Sequence, residues 1–145
     1  DFGIDAGLRE LARGFSQRTG IVVDYRSNVR ERLDPIVETH LFRIAQEALT
    51  NTSRHTMATT VELTLDRAPN GVRLVISDNG GGLPAKAAAG TGLGMLGMQE
   101  RAQAIGGTLR LQSKPGVGLT IEAIVPSTLA APVALGSLEP AEDPQ

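Results

Sequence analysis

The segment Ser77-Asp78-Asn79-Gly80-Gly81-Gly82 constrains this chain more than any other. It follows Val72-Arg73-Leu74-Val75-Ile76, where Val72, Leu74 and Ile76 alternate to one side as in a half-buried strand. A strand that runs out into an aspartate and three glycines sets Asp78 at the mouth of a core, on a stiff scaffold. The glycines let the backbone turn sharply and let a flat group approach closely. A carboxylate held there can accept a hydrogen bond from an exocyclic amine such as that of adenine. A plain turn after a strand uses the same residues, so the choice rests on the rest of the chain.

Two further segments bear on it. Asp34-Pro35 starts the longest helix, aspartate as cap and proline at the first helical position, and the pattern runs to about His55. At 100° per residue, Val37, Leu41, Ala45, Ala48, Leu49 and Thr52 share one face, while His40, Arg43, Glu47, Asn51 and Arg54 share another. An amide oxygen such as that of Asn51 suits Mg²⁺, which takes hard oxygen ligands and keeps several waters. Glu47, one turn earlier, can hold a water on that metal or take a proton. Arg54, one turn later, can meet phosphate. The same residues would also make an ordinary solvated helix face. His55 reads as a polar helix-end residue rather than a catalyst, and it joins Arg54 among the candidate ligand contacts.

The other segment is Gly90-Thr91-Gly92-Leu93-Gly94-Met95-Leu96-Gly97, opening a helix expected over residues 92–105. Free N–H groups and the helix dipole at such an end attract phosphate oxygens. Residues 92–97 spell G-x-G-x-x-G, but no strand precedes them, which argues against a dinucleotide fold. A glycine hinge without a ligand is the simpler alternative.

The remaining pattern supplies a frame. Asp5 is expected to cap a helix carrying Leu8, Leu11, Ala12 and Phe15, stopped by Gly20. Strands are expected at residues 21–25, at Val61, Leu63 and Leu65, through Asp78, at Leu109 and Leu111, and at Leu119, Ile121, Ala123 and Val125. Ala68-Pro69-Asn70-Gly71 reads as a hairpin turn, Lys114-Pro115-Gly116 as another, and Ser27 to Leu33 as a charged connection. Leu83 to Gly90 reads as a mobile loop, and Gly106-Gly107 as a helix stop. The result is an α/β two-layer sandwich, a mixed sheet of about five strands with about three helices on one face and a wetter opposite face. Residues 1–126 form this domain, and the Pro/Ala-rich stretch 127–145 is expected to be disordered.

Composition removes other classes. The 145 residues suffice for one core. The net charge of −2 gives no general attraction to nucleic acid or membrane lipid. No cysteine and only two histidines leave no disulfide and no convincing zinc site. No apolar run approaches the roughly 20 residues of a membrane span. A first residue of Asp rather than Met suggests a piece of a longer protein.

Taken together, Glu47-Ala48-Leu49-Thr50-Asn51, Asp78-Asn79-Gly80-Gly81-Gly82 and Gly90-Thr91-Gly92-Leu93-Gly94 resemble, in order and spacing, the N box, D-x-G-x-G box and second glycine box of one family. This is the ATP-binding domain shared by gyrase, heat-shock chaperone, MutL and histidine-kinase ATPases, the GHKL superfamily. Leu41 to Asn51 and Gly94-Met95-Leu96-Gly97-Met98-Gln99-Glu100-Arg101-Ala102 are similar to the nitrate-sensor-like branch of bacterial histidine kinases, and Gly116 to Thr120 with Val125-Pro126 look like that domain's end. The resemblance covers about residues 5–126 and implies a Bergerat-type fold.

It also implies roles. Asp78 would bind the adenine amine, with Thr120 nearby through water, and Gly80 and Gly82 would form the adenine slot. Asn51, helped by Glu47, would hold Mg²⁺ on the phosphates of ATP, with Arg54 where the family often has a basic phosphate contact and His55 among the residues that bind ATP. Gly92, Leu93 and Gly94 would close over the phosphates within a short lid, where Lys86 reads as a solvated lysine. The family's accepting histidine is usually followed by an acid, whereas His40 precedes Leu41 and His55 precedes Thr56. Neither fits, so the acceptor would lie on a dimerisation domain upstream, and a response regulator would then take the phosphoryl group. A cytoplasmic domain of a sensor histidine kinase, whether or not its parent is membrane-anchored, is therefore the expected reading. A self-contained ATPase using Glu47 to activate water, and a non-catalytic nucleotide-sensing domain, are the alternatives.

Overall fold

The computed structural model describes residues 3–55, 57–81 and 94–126. Within them the order is α1 (Gly3–Thr19), β1 (Val22–Ser27), α2 (Pro35–His55), β2 (Thr60–Ala68), β3 (Gly71–Asp78), α3 (Met95–Ala104), β4 (Thr108–Lys114) and β5 (Gly118–Pro126). The loop read at Leu83 to Gly90 and the stretch 127–145 lie outside the described residues.

The five strands form one sheet in the order β1-β2-β3-β5-β4. β1 and β2 are parallel, joined through α2, and the other neighbours are antiparallel. Period two assigns each strand's faces. Val61, Leu63 and Leu65 of β2, Val72, Leu74 and Ile76 of β3, and Leu119, Ile121, Ala123 and Val125 of β5 are all buried. They meet Leu8 and Phe15 of α1, Leu41, Ile44 and Leu49 of α2, and Met98 and Ala102 of α3 in one apolar cluster. Each fully buried Leu or Ile contributes roughly 1.5–3 kcal/mol. The opposite face carries ion pairs, with Glu122 meeting Arg73 and Arg110. The two-layer architecture thus follows from the alternation in the strands and the apolar stripe of α2.

Local chemistry sets the boundaries. Asp34 Oδ1 accepts the Ile36 N–H at 2.8 Å and Pro35 begins α2, the arrangement expected of a capping aspartate. All six residues assigned to the apolar face of α2 are buried, joined by Ile44. The β2–β3 hairpin turns through Pro69 and Asn70, with Ala68 paired to Gly71. α3 ends in a left-handed Gly106, whose N–H bonds the Gln103 carbonyl while Gly107 N–H bonds that of Ala102, a Schellman closure.

Some boundaries differ from the sequence reading. α1 starts at Gly3, so Asp5 lies inside its first turn rather than capping it. Its carboxylate accepts the Tyr25 hydroxyl at 2.7 Å and pairs with Arg9 and Arg30. β1 runs on to Ser27, whose hydroxyl donates to the Leu65 carbonyl at 2.7 Å. Met57, in the connection from α2 to β2, has a left-handed backbone at φ 57°. Among the described residues, no helix is long and apolar enough to cross a membrane.

Candidate nucleotide site

Asp78 ends the inward row of β3, so the alternation that buries Val72, Leu74 and Ile76 turns its carboxylate toward the helices. It is only 8% exposed. A buried carboxylate is expensive unless donors surround it. Two donors are present: Oδ1 accepts the Gly80 N–H at 2.8 Å and Oδ2 accepts the Thr52 hydroxyl at 3.2 Å. The strand end is anchored by Asn79, whose Oδ1 accepts the N–H groups of Thr59 and Thr60, each at 3.0 Å, and whose Nδ2 donates to the Thr59 hydroxyl.

The β4–β5 turn closes the same corner. Gly116 N–H donates to the Gly81 carbonyl at 2.7 Å. Gly118 packs so tightly on the Asp78 carbonyl that any added Cβ would overlap it. A Cβ built at Gly81, by contrast, meets nothing within 4 Å among the described residues. Its small size is not required by its own surroundings, whereas Gly80 serves Asp78 through its N–H.

α2 brings the second group. Asn51 is buried at 5% exposure, while Glu47 and Arg54, one turn to either side, are exposed. The polar face read from the sequence is therefore not uniformly solvated, because the amide sits under protein at the helix end nearest Asp78's partner Thr52. Gly94, at φ 71° and immediately before α3, lies against Glu47, and a Cβ there would fall 2.5 Å from the Glu47 carboxylate. The start of α3 and the acid of α2 therefore share one corner.

The structure separates one predicted residue from the group. Register pairs Thr120 with Ser77, and the two hydroxyls are 2.9 Å apart on the sheet face away from the helices. Leu119 is the residue paired with Asp78, and it is buried. The side chain of Thr120 therefore does not approach the inward carboxylate. Gly82, Gly92, Leu93, Lys86 and the side chain of His55 lie outside the described residues. Thr52, Asn79 and Gly118 lie at this corner outside the residues that the sequence reading assigns to the site. Of these, Gly118 carried a usable signal as the second glycine of Gly116-Val117-Gly118.

The donor chemistry fits a nucleotide. An ionised carboxylate only accepts hydrogen bonds, so it suits an amine and opposes a carbonyl. Asn51 and Glu47 offer oxygens to a hard cation but no cage. Among the described residues, no three His, Cys, Asp or Glu side chains cluster as a metal site. A Mg²⁺ that keeps waters and takes phosphate oxygens fits such a sparse set.

Comparison with known proteins points the same way. The family described as histidine kinase-, DNA gyrase B-, and HSP90-like ATPase matches residues 36–129. The oxygen sensor histidine kinase NreB of Staphylococcus carnosus is 35% identical over 130 residues, covering 88% of this chain and 38% of the relative. The signal transduction histidine-protein kinase/phosphatase DegS of Brevibacillus brevis is 35% identical over 129 residues, covering 88% of this chain and 33% of the relative. The chain thus spans about a third of the length of these relatives. Among solved structures, the histidine kinase domain of the Erythrobacter litoralis EL346 blue-light activated kinase superposes with a TM-score of 0.77 at 19% identity, over 87% of this chain and 62% of that one. The catalytic domain of histidine kinase ThkA gives 0.64 at 16%, over 83% and 92%. At such identities these two likenesses speak to the fold.

Proposed function

Since the chain belongs to the histidine kinase-, DNA gyrase B- and HSP90-like ATPase family, we propose that it is the ATP–Mg²⁺-binding catalytic domain of a two-component sensor histidine kinase. It would donate the γ-phosphate of ATP to a histidine on a dimerisation domain of the same parent protein, from which a response regulator takes it. The observation that carries this reading is the Asp78 carboxylate, buried at the sheet rim and oriented by Gly80 and Thr52.

Each residue then has a task. Asp78 accepts the exocyclic amine of adenine. Asn51 would supply an amide oxygen to Mg²⁺, with Glu47 one turn away to accept a hydrogen bond from water. Bound Mg²⁺ neutralises charge on the phosphates, and phosphoryl transfer depends mainly on such neutralisation and on positioning. Arg54 is exposed near the end of α2 and would meet the phosphates, and Gly94 borders Glu47 at the start of α3. Gly82, Gly92 and Leu93 are proposed to complete the walls, with His55 at the phosphate end.

Titration calorimetry with ATP tests the reading. Asp78→Asn is expected to weaken ATP about 10- to 100-fold, the range for losing a hydrogen bond to a charged group, while circular dichroism stays native. Unchanged affinity in that variant refutes the adenine assignment. Equal ATP affinity of the parent protein with Mg²⁺ and with EDTA refutes the metal role of Asn51.

A further inference from the structure

Thr52 is the most deeply buried of the buried polar side chains among the described residues. It lies on the sheet-facing stripe of α2 at 1% exposure, in line with Val37, Leu41, Ala45, Ala48 and Leu49. Every other position in that stripe is apolar, and valine has nearly the same shape as threonine. A hydroxyl at this depth weakens the fold unless it is bonded. The Ala48 carbonyl and Asp78 Oδ2 both lie within reach of its Oγ1, each at 3.2 Å. A hydroxyl carries one proton. The Ala48 carbonyl already serves the helix ladder, and an ionised carboxylate attracts the proton more strongly than a neutral carbonyl does.

We infer that Thr52 is a positioning residue for base recognition, setting the plane of the Asp78 carboxylate from α2 while Gly80 N–H holds its other oxygen. The inference rests on the proposed reading of Asp78 as the adenine acceptor. Two donors on different oxygens fix rotation about the Cβ–Cγ bond, and with Gly80 alone the carboxylate can turn. Thr52 also follows Asn51 directly, so one peptide unit, about 3.8 Å between Cα atoms, sets the base-reading acid against the metal-facing amide. A fixed, purely accepting carboxylate favours a 6-amino purine and opposes a 6-oxo purine. Loosening it erodes that preference without touching the phosphate end.

The test compares binding of ATP and inosine triphosphate, both with Mg²⁺, in Thr52→Val, Thr52→Ser and Asp78→Asn. Thr52→Val is expected to lower the ATP-to-ITP affinity ratio about ten-fold, with ITP affinity near that of the parent protein. Thr52→Ser keeps the hydroxyl and is expected to retain the parent ratio, whatever its melting temperature. A packing role alone would change melting but not the ratio. An unchanged ratio in Thr52→Val, or a lowered ratio in Thr52→Ser, overturns the inference, and the serine variant decides alone if the valine variant does not fold. Asp78→Asn separates the two ideas. If it abolishes the preference while Thr52→Val does not, only the role of Thr52 falls. If it leaves the preference intact, the adenine assignment itself falls.

Discussion

Gly118 has no freedom to grow, because a Cβ there would occupy the space of the Asp78 carbonyl oxygen. Gly118→Ala must therefore push β5 away from the last residue of β3. The expected loss is about 1–3 kcal/mol, typical of overpacking, read by urea denaturation and accompanied by weaker ATP binding. Asp78 was legible because strand alternation and the glycines after it together define a rim carboxylate. Thr52 was legible only as to its side: a 100° wheel placed it inward, but no periodicity reveals which acceptor a buried hydroxyl finds. The side that Thr120 takes was also readable. The alternation that turns Leu119, Ile121, Ala123 and Val125 inward turns Thr120 outward, to Ser77.

Between elements, the clasp of α1 on β1 has a pH signature. The Tyr25 hydroxyl is half-buried and donates to Asp5 at 2.7 Å. Burial first, and the bond to Asp5 second, push its pKa well above the usual 10.0, with Ser27 and Arg9 opposing in part. Above pH 10 the unfolded chain releases this proton while the folded chain keeps it. Tyr25 therefore stabilises the fold fully below pH 10 and progressively less above it. Tyr25→Phe is expected to flatten this alkaline fall, measured as melting temperature between pH 9 and pH 11. An equally steep fall in the variant would place its origin elsewhere. The sequence showed α2 well, since Asp34, Pro35 and the apolar stripe agree. It showed the start of α1 poorly, because Asp5 is a capping type of residue that tertiary partners instead recruit into the first turn.

For the whole molecule, all described helices pack on one sheet face, and the candidate site lies where that layer meets the strand ends. A ligand that binds only the folded chain stabilises it by mass action, by about 2.7 kcal/mol at 100 times its dissociation constant. ATP with Mg²⁺ is expected to raise the melting temperature by several degrees in differential scanning fluorimetry, and ATP with EDTA by much less. No rise with either would count against nucleotide binding. The two-layer class was readable from the strand and helix periods, as was the pairing of β2 with β3 through Pro69-Asn70. The order β1-β2-β3-β5-β4 was not, because inserting β5 between β3 and β4 depends on contacts far apart in sequence. At the start of α3, Gly94 and the Glu47 carboxylate occupy adjoining volumes with no space between them. Any side chain placed at position 94 would have to swing the Glu47 carboxylate aside, on a left-handed backbone that favours glycine.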